Sequence, residues 1–295
     1  MGLVDCLFSL NRNRQQFQNY IFQGGSVKGL AYIGALEELE QNGLKLSNVK
    51  RMGGTSVGSI TATLLSVGYD LNELRDLLKL DFTQFLDIED EELRKLTFRY
   101  VNDEKKMSTV LAAQYGEKKK LFDECKKETE SILGHDFDQI HYVKGVAGAI
   151  RHGYSALRKA FTEAKLKWNL VRKVMNNKGL AEGNRFLDWI EEKIRRKTYI
   201  DFATFAELNE LHVKNPQKYK QLYLIGGNAS KNESEVFSHE HTPDLIISDA
   251  VRISMSIPIV FKPHQKYIKI NRKRVLDKNS MNNFYIDGGV FDNYP

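Results

Sequence analysis

Residues 49–68 read VKRMGGTSVGSITATLLSVG. Val49 to Gly53 predicts a short buried strand, Val57 to Val67 predicts a helix, and Gly68 stops it. Between them Gly54-Thr55-Ser56-Val57-Gly58 fits the pattern G-x-S-x-G. That spacing suits a chain turning sharply from strand into helix. Ser56 takes the apex, and Gly54 and Gly58 let the two backbones approach without a Cβ between them. The same order occurs just upstream. Tyr20 to Gln23 predicts a strand that meets a turn at Gly24-Gly25. From Val27 to Gln41 the residues Leu30, Ile33, Ala35, Leu36 and Leu39 keep helical spacing until Gly43. Two strand–turn–helix units in succession predict an α/β fold with a mainly parallel sheet covered by helices.

The pattern changes in the middle of the chain and then returns. Residues 94–178 are Lys-rich and helical in pattern, with Gly145, Gly148 and Gly153 as interruptions. Tyr154, Leu157, Phe161, Ala164, Trp168, Val171 and Met175 form one apolar stripe at alternating spacings of three and four. Arg158, Lys159, Lys165, Lys167, Arg172 and Lys173 stand between them, giving a basic amphipathic helix suited to a membrane surface, a partner or its own domain. Beyond Gly179, an amphipathic helix is expected over Arg185–Arg195 and a buried strand over Gln221–Gly226. A helix from Ser248 to Ser254 must end before Pro258. Phe284 to Gly289 predicts a strand running into a glycine turn.

Composition narrows the class. With 295 residues, 41% apolar and 28% charged, the chain is globular rather than disordered or collagen-like. Cys6 and Cys125 are the only cysteines, too few for a disulfide framework or a cysteine-rich zinc site, and free thiols fit a reducing compartment. The first residues lack a secretory pattern, and Cys6 stands where a myristoylation signal wants Ser or Thr. The longest uncharged run, Met52 to Tyr69, is too rich in Gly, Ser and Thr to make a good membrane span. The net charge is +6, but residues 94–178 hold 19 Lys/Arg against 10 Asp/Glu, so the remainder is slightly acidic. A block of that sign suits an anionic partner. No nucleic-acid motif accompanies it, so lipid headgroups or an acidic protein are the expected partners.

Three glycine-rich turns could do chemistry. The first is the elbow at Ser56, where the N–H groups of the following helix face any negative charge near the serine. The second, Gly24-Gly25-Ser26-Val27-Lys28-Gly29, could supply backbone donors to a developing oxyanion; its spacing fits neither a P-loop nor a dinucleotide fingerprint. In the third, Asp287-Gly288-Gly289, the aspartate either presents its carboxylate at the edge of the sheet or caps its own turn. A Ser-Asp-His triad would place a histidine after the aspartate. The histidines are His135, His141, His152, His212, His239, His241 and His264, all of them earlier and each expected at the surface. Either the serine is idle or its base is not histidine, and a Ser56–Asp287 dyad is the economical choice.

These three turns, in this order, resemble the signatures of patatin-like phospholipases. Asp249-Ala-Val-Arg-Ile-Ser-Met-Ser-Ile-Pro258 is similar to the segment that precedes the aspartate in that family, and Asn293-Tyr-Pro295 resembles its usual continuation. The resemblance covers about residues 18–93 and 179–295. It implies a three-layer α/β/α sandwich over 18–295, interrupted by a basic helical insertion at about 94–178 and preceded by an extension over 1–17. It implies Ser56 as nucleophile, Asp287 as base, an oxyanion hole from Gly24 to Gly29 beside Lys28, and hydrolysis of phospholipid or lysophospholipid esters with no metal or other cofactor. Ser26 departs from the family, standing where a third glycine is usual. The same residues could serve an acyltransferase, or a binding module with an idle serine. The basic insertion and missing signal peptide are similar to patatin-like toxins that bacteria inject into host cells. The protein would then be cytoplasmic or peripheral on membranes, or delivered to a host cell, with room for a protein activator.

Overall fold

The computed structural model describes residues 17–25, 29–79, 82–89, 179–258 and 260–293, together with 91 and 94. The expectations for residues 1–16, for 26–28 and for the basic block, including the Tyr154–Met175 stripe, lie outside the described residues, Arg94 apart.

Five strands make the main sheet. β1 (Asn19–Phe22), β2 (Arg51–Thr55) and β3 (Gln221–Asn228) run parallel, whereas β4 (Glu233–Ser238) and β7 (Tyr285–Asp287) both pair antiparallel with β3. The parallel part is the one built by strand–turn–helix units, as the sequence predicts; β4 arrives by a tight reversal from β3. A strand has two edges, and β4 occupies one edge of β3 from Tyr223 to Asn228. On the other edge β2 pairs with Gln221–Ile225, and β7 takes over at Gly226–Asn228. β2 and β7 therefore meet end to end along β3, with Thr55 opposite Ile225 and Asp287 opposite the next residue, Gly226.

Helices cover this sheet to give an α/β sandwich. α1 (Gly29–Gln41) follows β1, and α2 (Val57–Ser66) follows β2. α3 (Leu71–Leu78), α4 (Asn184–Thr198), α5 (Phe205–Lys214) and α6 (Ile247–Ser254) complete the described helices. α2 is buried on every side, with Ile60 and Leu64 fully enclosed, which is why its sequence carries small and apolar residues and no charge. α4 instead buries one stripe, Phe186, Ile190, Ile194 and Thr198, at spacings of four. Phe186, Ile190 and Ile194 each contribute about 1.5–3 kcal/mol by leaving water. Asp87 starts α4 by accepting from the Gly183 and Asn184 amides at 2.8 and 2.9 Å. This satisfies donors that a helix start leaves unpaired.

α6 is wholly buried although it carries Asp249 and Arg252. Both are hydrogen-bonded, although among the described residues Arg252 Nε is buried without a partner. Asp249 accepts from Arg274 Nε at 2.9 Å and Nη2 at 2.7 Å, and lies 2.6 Å from His264 Nε2. Arg274 belongs to a separate hairpin of β5 (Tyr267–Ile270) and β6 (Lys273–Leu276), which this ion pair ties to the core. Arg252 donates to Ser256 Oγ and to the Glu182 carbonyl, both at 2.6 Å. Removing one partner from such a buried pair leaves an uncompensated charge, which is the costly event, rather than the pair itself.

Candidate active site

Ser56 stands between β2 and α2 at φ 54°, ψ −127°, a backbone conformation that costs a non-glycine residue of order 1–3 kcal/mol. The elbow needs both of its glycines. A Cβ on Gly54 would lie 2.2 Å from the Gly58 carbonyl oxygen, and one on Gly58 would lie 2.1 Å from the Phe22 carbonyl oxygen. The start of α2 thus rests directly on the ends of β1 and β2, and that contact forces the turn. A serine at a helix N-terminus ordinarily caps it, but the Ser56 hydroxyl makes no capping bond. It donates instead to Asp287 Oδ2 at 2.6 Å.

Asp287 reaches this position because β7 ends where β2 ends. Its other oxygen, Oδ1, accepts from the Gly289 amide at 2.8 Å. The two alternatives left open by the sequence are therefore both present: one oxygen caps the turn over Gly288–Val290, and the other faces Ser56. Gly288 fits because a Cβ there would lie 2.4 Å from the Ile225 carbonyl oxygen. Ser56 and Asp287 are both buried, at 7% and 5% exposure. Burial pushes the Asp287 carboxyl up to about 7, while hydrogen bonds from Ser56 and Gly289 pull it partly back. A carboxylate held near neutrality and in contact with a hydroxyl has the position and basicity to accept its proton.

The glycine loop after β1 comes against the same point. A Cβ on Gly24 would lie 3.1 Å from Ser56 Cβ and 2.4 Å from Asn293 Oδ1. Asn293 also donates to the Gly24 carbonyl at 3.3 Å, linking this loop to the turn that follows Asp287. Gly25 follows directly and Gly29 opens α1, with Ser26, Val27 and Lys28 outside the described residues. Gly24, Ser56 and Asp287, drawn from three separate turns of the sequence, thus come together at the ends of β1, β2 and β7.

The end of α6 supplies contacts to which no role could be given from the sequence. Ser254 Oγ accepts from the Ser56 amide at 2.9 Å, the Asp287 amide donates to the Ser256 carbonyl at 2.9 Å, and Met255 Sδ lies 3.9 Å from Ser56 Oγ. The proline at 258 marked the end of this helix, but nothing in its periodicity announces contacts made across 198 residues. The expectation of surface histidines needs two corrections. The His239 side chain is only 15% exposed, and burial lowers its pKa. His264 is largely enclosed by its contact with Asp249, and burial lowers its pKa. Among the described histidines, none is hydrogen-bonded to Ser56 or Asp287.

A serine elbow and a second, carboxyl-bearing turn thus meet on one edge of β3 within an α/β sandwich. The family model for patatin-like phospholipases matches residues 20–295, and the chain belongs to that family. A probable lipid hydrolase of Invertebrate iridescent virus 6 is 24% identical over 289 residues, which are 98% of this chain and 65% of that protein. An uncharacterised protein of Acanthamoeba polyphaga mimivirus is 25% identical over 284 residues, 96% of this chain and 61% of the relative. The chain thus spans somewhat under two thirds of the length of the relatives it matches. Among solved structures, VipD from Legionella pneumophila shares the fold with a TM-score of 0.50 at 18% identity, covering 95% of this chain and 47% of VipD. Among the described residues no helix is long and apolar enough to cross a membrane.

Proposed function

We propose that the protein hydrolyses acyl esters of phospholipids or lysophospholipids, with Ser56 as nucleophile and Asp287 as general base. The 2.6 Å contact between Ser56 Oγ and Asp287 Oδ2 carries this reading. As Oγ attacks the ester carbonyl, its proton passes to Oδ2 and the carbonyl oxygen gathers negative charge. Backbone amides of the loop from Gly24 to Gly29 stabilise that oxyanion, and the N-terminus of α2 adds its dipole. Collapse of the tetrahedral adduct expels the lipid alcohol, which takes the proton from Asp287, and leaves an acyl-serine. Water, deprotonated by the same carboxylate, then releases the fatty acid and restores Ser56. The basic block at 94–178 seats the protein on an anionic membrane surface, where its substrate lies. The family match and the viral relative named a probable lipid hydrolase support this reaction class.

Fatty-acid release from mixed anionic liposomes tests the proposal, with Ser56→Ala as the control. A serine-directed fluorophosphonate should label the parent at Ser56 and leave Ser56→Ala unlabelled. Acyl release by Ser56→Ala at the parent rate would overturn the assignment.

A further inference from the structure

Helix α6 ends in Ser254-Met255-Ser256, and both proposed reacting residues are held by that short stretch. Ser254 is fully buried. Its hydroxyl accepts from the Ser56 amide at 2.9 Å and donates to the Ile225 carbonyl at 2.7 Å. Ile225 is the last residue of β3 to pair with β2, directly before Gly226, which pairs with Asp287. The hydroxyl therefore bridges the elbow to the strand position where β2 gives way to β7. Two residues on, the Ser256 carbonyl accepts the Asp287 amide at 2.9 Å. Ser256 is itself fixed by Arg252, which donates to its Oγ at 2.6 Å, while that Oγ donates back to the Arg252 carbonyl at 2.8 Å.

The backbone at Ser56 is strained, and strain persists only where neighbouring structure over-determines it. The helix that follows does not do so for the Ser56 amide. An N-terminal amide has no partner within its own helix, and a buried unpaired N–H costs as much as a lost hydrogen bond. Ser254 is the group that satisfies it. A hydroxyl is suited to this because it accepts from Ser56 with one lone pair while donating its own proton to Ile225. Alanine at position 254 would leave two buried backbone groups without partners and release the elbow toward ordinary backbone angles.

We propose that Ser254 is a positioning residue that holds the Ser56 backbone in its strained conformation and so sets the Ser56–Asp287 distance from the end of α6. This rests on the Ser56–Asp287 reading, and the two can fail separately. Loss of the dyad reading would show as undiminished activity in Ser56→Ala, whatever Ser254 does. Displacement of about 1 Å at a reacting group costs on the order of 100-fold in rate. Ser254→Ala is therefore expected to lower kcat on a soluble ester by about 10- to 100-fold with KM little changed. Ser254→Thr, which keeps the hydroxyl, should stay within several-fold of the parent. Ile194→Val, a core change in α4 remote from the site, serves as a stability control and should leave kcat unchanged. A Ser254→Ala enzyme with the parent kcat, or a loss in kcat matched by Ile194→Val, would overturn the proposal. The parent protein gives a measurement that does not depend on any variant folding. The Ser56 amide should exchange with deuterated solvent as slowly as that of Leu224 in the core of β3. If it exchanges as fast as an unprotected helix-start amide, Ser254 does not hold it and the proposal falls.

Discussion

On the dyad reading, Asp287 joins two properties that ordinarily exclude each other, deep burial and a working negative charge. Its carboxyl is raised from 3.8 to about 7 chiefly by desolvation, so it is half ionised near neutrality. As a base it must be ionised. We expect kcat/KM on a soluble ester to rise with pH along an acid limb centred near 7, and a limb near 4 would contradict that placement. The same shift bears on stability. The folded chain holds this proton more tightly than the unfolded chain, so the stabilising contribution is complete below pH 3.8 and is lost as pH rises to about 7. At about 1.4 kcal/mol per pH unit, that loss is on the order of 4 kcal/mol. Asp287→Asn should therefore lose turnover by several orders of magnitude. Relative to the parent it should gain melting temperature at pH 8 and gain much less at pH 5. Equal melting differences at both pH values would show that the carboxyl titrates where an exposed one does. Ser56, this aspartate and the glycines beside them were legible as candidates in the sequence because turns constrain residue type locally. Ser254 and Asn293 lay in segments that the resemblance marked, but their contacts were not legible, since a hydrogen bond between residues far apart in the chain leaves no periodic trace.

Elements were legible where burial is one-sided or complete, and less so where it is neither. β2 was expected over Val49–Gly53 but runs from Arg51 to Thr55. Its last residues are glycines and a threonine, which pair through their backbones and carry no hydrophobic signal. α3 and α5 were missed although each carries a capping box, Asp70 with Glu73 and Thr204 with Glu207. The β5–β6 hairpin was missed because Asn271 and Arg272 make its turn at φ 50° and 62°, and arginine is not a residue from which such a turn is read. The elbow yields a paired prediction about glycines. Gly34 lies within α1 with open space around it, so Gly34→Ala should stabilise by about 0.5–1 kcal/mol. Gly58→Ala would drive a methyl group into the Phe22 carbonyl and should destabilise by about 3 kcal/mol, with loss of activity. Thermal melts of the two variants check both signs, and a tolerated Gly58→Ala would mean that α2 does not rest on β1 as described.

At the scale of the whole molecule, charge is divided by sequence position. Residues 94–178 hold 19 basic against 10 acidic residues, and the rest of the chain is slightly acidic. On the membrane reading, each lysine or arginine near an anionic surface adds about 1 kcal/mol, within a range of about one Debye length. Binding to liposomes should thus rise with anionic lipid content and fall steeply between low and physiological salt. Reversing Lys159, Lys165, Arg172 and Lys173 to glutamate should weaken that binding and leave hydrolysis of a soluble ester unchanged. A reversed variant that still sediments with anionic liposomes as the parent does would assign the block to a lid or a protein partner instead.

The meeting of β2 and β7 along one edge of β3 also orders events in time. Ser56 leaves the ribosome 231 residues before Asp287, and for that interval a growing chain carries its elbow without this carboxylate beside it. The three residue pairs that join β7 to β3, with the Asp287 amide bonded to the Ser256 carbonyl, bring the carboxylate to the serine. On the dyad reading, a nascent chain that ends before Asp287 carries the serine without its base and lacks the acyl chemistry.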